Sequence, residues 1–149
     1  MKVLEKGNRM PGSIIRVLVA DDFEPLRRCV SSTLEKLAGL QLIGEASDGL
    51  VALDKAKELQ PDILLLDINL PKLNGFEVAR RLREHAPQLR IIFFSEDRSY
   101  DTAEEALRMG AYGYVVKSET RKELIPAFEA VLEGKQFVSP SLTGRFARL

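Results

Sequence analysis

The chain predicts an α/β fold built on a doubly wound parallel sheet, and three observations carry that reading. Five strand-like apolar runs alternate strictly with five helix-like stretches. The run Ile63-Leu64-Leu65-Leu66 is apolar throughout, as expected of a strand buried on both faces at the centre of a parallel sheet. Polar and charged residues then follow the strands: Asp21-Asp22, Asp67, Ser95 and Lys117. They fall at the carboxyl edge, where open α/β sheets take their ligands.

Each element follows from its own residues. Ile14 to Ala20 reads as the first strand. Pro25 suits a first helical turn, and Leu26, Val30, Leu34 and Leu37 recur at helical spacing up to Gly39. Leu40 to Ala46 is a more polar strand, suited to an edge. Ser47-Asp48-Gly49 is a turn, and Leu50, Leu53, Ala56 and Leu59 form an apolar stripe before Pro61. The third strand ends at Asp67, and a turn with Pro71 leads to a helix over 75–84 with Phe76, Ala79 and Leu82 inward. Arg90 to Ser95 is the fourth strand and 102–109 an Ala-rich helix. Tyr112 to Lys117 is the fifth strand. The fifth helix spans 121–133, with Leu124, Ile125, Phe128, Val131 and Leu132 on one side. Strands one, three and four are the most apolar and belong in the centre; strands two and five belong at the edges. With right-handed crossovers, this is a (βα)5 flavodoxin-like arrangement of strand order 2-1-3-4-5.

Composition narrows the function classes. The 149 residues suit one domain with a hydrophobic core. Lys+Arg and Asp+Glu balance at 22 each, so no net charge draws the chain to nucleic acid or anionic lipid. Apolar runs are strand-length, too short for a membrane helix. Residues 1–13 lack a signal-peptide apolar block and read as a flexible leader. The single cysteine, Cys29, permits no internal disulfide and reads as a half-buried structural thiol. A cytoplasmic location is expected. Residues 14–134 form the domain, and 135–149 a C-terminal tail or linker.

Asp21, Asp22 and Asp67 brought to one edge would repel each other. They make sense around a hard divalent cation, which prefers oxygen ligands. Lys117 adds positive charge and Ser95 a hydroxyl. Together they suit the arrival of a phosphoryl group on the Asp67 carboxylate. An acidic pair, or an Asp after a strand, is weak taken alone, being usually solvated. The coincidence across four strands is what carries the reading.

With these residues the chain resembles a receiver domain of bacterial two-component response regulators, over roughly Ile14 to Glu133. The motifs are the acidic pair after the first strand, Asp67 followed by Pro71 and Gly75, Ser95, and Lys117 preceded by Tyr114. The resemblance implies that Asp67 is the phosphoacceptor for a sensor histidine kinase. It implies that Asp21, Asp22, Asp67 and the backbone carbonyl of Asn69 hold Mg²⁺ (or Mn²⁺). Lys117 and Ser95 would contact the phosphoryl group, and Tyr114 would move from exposed to buried. The stretches at 43–49, 110–114 and 134–140 are similar to the NarL/FixJ branch, where a helix-turn-helix DNA-binding domain usually follows and phosphorylation drives homodimerisation. Ser141 to Leu149 is too short for such a domain, so DNA would be reached only through a domain absent from this chain; alternatively a stand-alone receiver acts by protein–protein contact.

A haloacid-dehalogenase-type phosphohydrolase is the competing enzyme class. It needs a second Asp two residues after the nucleophile, and that position is Asn69, which cannot donate a proton. A phosphate-independent interaction module is disfavoured by the complete acidic set and Lys117. Three local expectations follow. The peptide after Lys117 is trans, because Ser118 stands where many receivers have a proline. The fifth helix begins irregularly: Thr120 and Glu123 have capping-box spacing, and Pro126 leaves the Lys122 carbonyl without its helical partner. Glu96 stands where receivers usually have a small residue and is a possible gate to Asp67. His85, near a helix C-terminus, is a surface residue with no role in phosphotransfer.

Overall fold

The structure, a computed structural model, describes residues 13–142. The leader reading falls on residues that, apart from Ser13, lie outside this range, as do 143–149. The elements are β1 Ile15–Ala20, α1 Glu24–Glu35, β2 Leu40–Ala46, α2 Gly49–Leu59, β3 Ile63–Asp67, α3 Gly75–His85, β4 Arg90–Ser95, α4 Tyr100–Arg108, β5 Gly113–Val116, α5 Thr120–Leu132 and β6 Phe137–Val138. All strand pairs are parallel, in the order β2-β1-β3-β4-β5-β6. The flavodoxin-like order 2-1-3-4-5 therefore holds, extended by a sixth strand.

Alternation along the strands splits the core in two. Leu18, Ala20, Leu64, Leu66, Phe93 and Tyr114 face α2, α3 and α4. Val17, Val19, Leu65, Phe94 and Val115 face α1 and α5. Every residue of β3 is buried, which is why it reads as unbroken apolar sequence ending in a charge. His85 is the exposed last residue of α3, and Cys29 is half-buried, both as expected.

Three expectations are corrected. β5 is not an edge, because Gly134, at φ 79°, turns the chain after α5 and Phe137 and Ser139 then donate to the Tyr112 and Tyr114 carbonyls. Part of the stretch read as tail thus joins the sheet; its two-residue strand was too short to stand out. Leu50 is 46% exposed: the buried stripe of α2 is Gly49, Ala52, Leu53 and Ala56, an i, i+3, i+4, i+7 set that leaves Leu50 off the inner face. The capping box at α5 does not form. Thr120 Oγ1 donates to the Lys117 carbonyl at 2.8 Å, and the Glu123 side chain turns inward. A 3₁₀ turn over Lys117–Glu119 precedes the helix. α5 then runs on through Pro126, an exposed residue with no N–H to give the Lys122 carbonyl. No peptide is cis among the described residues, so the bond after Lys117 is trans.

Candidate functional site

β1, β3 and β5 deliver Asp21, Asp67 and Lys117 to one point. Asp21 and Asp67 are 0% and 1% exposed, while Asp22 stands in solvent. One carboxylate oxygen from each of the three lies within 4.8 Å of the others. Lys117 Nζ sits 2.8 Å from Asp21 Oδ2 and 3.1 Å from Asp67 Oδ2. The remaining oxygens bind backbone: Asp21 Oδ1 accepts from the Phe23 N–H at 2.8 Å, and Asp67 Oδ1 from the Asn69 N–H at 3.0 Å. Burial, and then the neighbouring Asp21, push the Asp67 carboxyl above the usual range; Lys117 and the Asn69 N–H oppose them. Burial alone would pull Lys117 down, but the two aspartates outweigh it and raise it.

The site fits a hard divalent cation. Asp21 Oδ2 and Asp67 Oδ2 are buried and face one ammonium, Lys117, so two carboxylates converge where a single positive charge answers them. The donors are all oxygen. Asn69 follows Asp67 by two residues and is exposed.

The loop from Ile68 to Asn74 is held by close backbone packing that sequence reading missed. A Cβ on Gly75 would lie 2.3 Å from the Asp67 carbonyl oxygen, and one on Gly49 1.7 Å from that of Leu73. The Gly75 N–H donates to the Ile68 carbonyl at 2.7 Å, and the Gly49 N–H to that of Pro71 at 3.0 Å. Asp48 caps α2 through the Val51 N–H and pairs with Lys72 at 3.6 Å. The one available signal was glycine in loops flanking a charged strand end.

Ser95 is buried at the end of β4, where its Oγ accepts from the Asp97 N–H at 2.9 Å, and Ser99 caps α4. Tyr114 is fully buried, with its hydroxyl donating to the Asp97 carbonyl at 2.6 Å. Glu96 is exposed and lines the mouth of the groove with Asp22, Phe23, Arg98 and Lys117. The structure therefore gathers Asp21, Asp22, Asp67 and Lys117, sets Ser95 and Tyr114 on the adjoining strands, and leaves Glu96 at the rim.

The response regulator receiver domain family matches residues 17–129. The chain belongs to that family. It is 32% identical over 134 residues to the response regulator GacA of Pseudomonas viridiflava, covering 90% of this chain and 63% of that protein. It is 34% identical over 136 residues to the nitrate/nitrite response regulator protein NarL of Escherichia coli, covering 91% and 62%. A LuxR-family two-component response regulator from Aurantimonas superposes with a TM-score of 0.84 at 32% identity, covering 91% of this chain and 97% of that one. The receiver thus spans just under two thirds of the curated relatives it matches. Receivers of this family are phosphorylation-dependent signalling domains of two-component systems. Among the described residues no helix is long and apolar enough to cross a membrane.

Proposed function

We propose that Asp67 accepts a phosphoryl group from a phosphohistidine of a sensor kinase, and that this receiver is a switch set by that modification. The observation that carries the reading is the pair of buried oxygens on Asp21 and Asp67 that converge on the Lys117 ammonium, at 2.8 and 3.1 Å. Asp67 Oδ2 attacks phosphorus; the P–N bond to the histidine breaks as the P–O bond to Asp67 forms. Asp67 Oδ1 stays anchored on the Asn69 N–H and so aims the other oxygen. Lys117 moves from sharing two carboxylates to meeting the phosphoryl oxygens. A cation held by Asp21, Asp22, Asp67 and the Asn69 carbonyl would neutralise charge gathering on those oxygens. Ser95 exchanges its Asp97 N–H for the phosphoryl group, and Tyr114, bonded to the same loop, follows that movement. The receiver assists its own phosphorylation and dephosphorylation without turning over a separate substrate.

The output we infer is control of transcription through a DNA-binding domain outside this chain, with homodimerisation on phosphorylation. The test is a mass gain of one phosphoryl group on incubation with acetyl phosphate and Mg²⁺, absent in Asp67→Asn. No gain in folded wild-type protein overturns the reading in favour of a phosphate-independent interaction module.

A further inference from the structure

Two buried polar side chains play no part in this chemistry. Glu123, in α5, is 5% exposed, and Ser139, just past β6, is 0% exposed. Ser139 Oγ donates to Glu123 Oε1 at 2.5 Å and accepts from the Val116 N–H at 2.8 Å. The Ser139 N–H donates to the Tyr114 carbonyl at 2.9 Å. Ser139 therefore brackets residues 114–116, ending one residue before Lys117. Tyr114 is held at both ends, by Ser139 through its carbonyl and by the Asp97 carbonyl through its hydroxyl.

The apolar residues around Ser139 span both cores. Phe137 packs with the α1 and α5 side, while Val138 and Leu142 join the cluster that contains Tyr114. Residues 140–142 are helical, with Leu142 4% exposed. A buried glutamate is costly unless bonded, and here its partner is the segment that leaves the domain.

We propose that residues 137–142 are a latch on β5, and that Ser139 and Glu123 couple the occupancy of the Asp67 site to the hold on this segment. The inference rests on Asp67 being the phosphoacceptor. A phosphoryl group adds bonds to Ser95 and Lys117 and so orders the ends of β4 and β5. The latch bonds to the last residues of β5 and tightens with them. Coupling of this kind is reciprocal: weakening the latch must weaken binding at the site by the same factor.

The experiment uses the 149-residue chain with Mg²⁺ and beryllofluoride as a phosphoryl analogue, read by hydrogen exchange. The expected result is protection in the loop after Asp67 together with about five-fold slower exchange over residues 137–142. Ser139→Ala should bind beryllofluoride about five-fold more weakly, whereas Glu123→Gln, which keeps an oxygen to accept from Ser139, should bind as the wild type does. Protection of the Asp67 loop with unchanged exchange over 137–142 overturns the latch and leaves the phosphoacceptor reading standing. Wild-type affinity in a folded Ser139→Ala variant also overturns the latch. Absence of any effect at the Asp67 loop overturns both.

Discussion

The two loops that flank the site are held in different ways. The loop after β3 is fixed by main chain against main chain: Gly75 lies under the Asp67 carbonyl and Gly49 against that of Leu73, with no room for a methyl group at either. The loop after β4 is fixed by side chains. Asp97 Oδ1 accepts from the Ser99 N–H at 2.7 Å and Asp97 Oδ2 from the Thr102 hydroxyl at 2.6 Å, while Ser95 Oγ and the Tyr114 hydroxyl hold the Asp97 backbone. Main-chain packing without free volume has one arrangement, whereas hydroxyl bonds exchange partners at low cost. Asp67, the proposed phosphoacceptor, thus stands at the head of the rigid loop. The residues read as a switch stand beside the exchangeable one.

The sharpest way to break the comparison is to put a methyl group into each loop. Gly75→Ala cannot be accommodated without moving Asp67, so a loss of about 2–3 kcal/mol in urea unfolding is expected, with labelling of Asp67 by acetyl phosphate abolished or nearly so. Ser99→Ala removes the α4 cap and costs about 1 kcal/mol with labelling retained. Equal losses for the two variants would mean that the loops do not differ in rigidity.

Titration separates the loops in sign. Asp67 is raised by burial and by Asp21. Its favourable contribution is present below the ordinary aspartate value of 3.8 and is lost as pH rises through its folded value. Asp97 is lowered, chiefly by the Thr102 hydroxyl and then by the Ser99 N–H. Its contribution is present above 3.8 and is lost as pH falls through its lower folded value. Asp67→Asn should therefore raise Tm at pH 7 by about 3 °C, with the gain fading as pH falls through the raised folded value of Asp67 and gone by pH 3.8. Asp97→Asn should lower Tm at pH 7, with the loss fading only below pH 3.8, as pH falls through the lowered folded value of Asp97. Thermal melts between pH 3 and 8 check both, and Tm shifts of the same sign would remove the distinction.

Much of this was legible in the sequence because strand ends are marked by chemistry. Asp21, Asp67, Ser95 and Lys117 are polar residues after apolar runs, and a parallel sheet must bring such ends together. What was hidden depends on contacts made across the chain. Thr120 and Glu123 have capping-box spacing, yet Glu123 has a partner sixteen residues on, in a segment with only two strand residues. Gly49 read as a turn residue, and only the position of Leu73 shows why a side chain is excluded there. Tyr114 was expected to begin exposed; the Asp97 carbonyl gives its hydroxyl a buried partner.

The smallest effect belongs to the rim, where the two loops meet the incoming donor. Glu96 and Arg98 lie on the exchangeable loop with opposite charges. Arg98 reaches across to Ser118 Oγ at 2.7 Å, beside Lys117, whereas Glu96 stands in solvent next to the groove. A single exposed charge at the rim, screened by salt, is worth about 0.5–1 kcal/mol, or roughly two- to five-fold in rate. Glu96→Gln should speed labelling of Asp67 by acetyl phosphate within that range at low salt, and Arg98→Gln should slow it by a similar factor. Glu96→Ala should exceed Glu96→Gln only by whatever its shorter side chain adds in access. Both charge effects should shrink towards one at 1 M salt, where the screening length falls to about 3 Å. A Glu96→Gln rate equal to wild type at low salt would place the carboxylate outside the donor's path. A gain that persisted at 1 M salt would make Glu96 a steric gate rather than an electrostatic one.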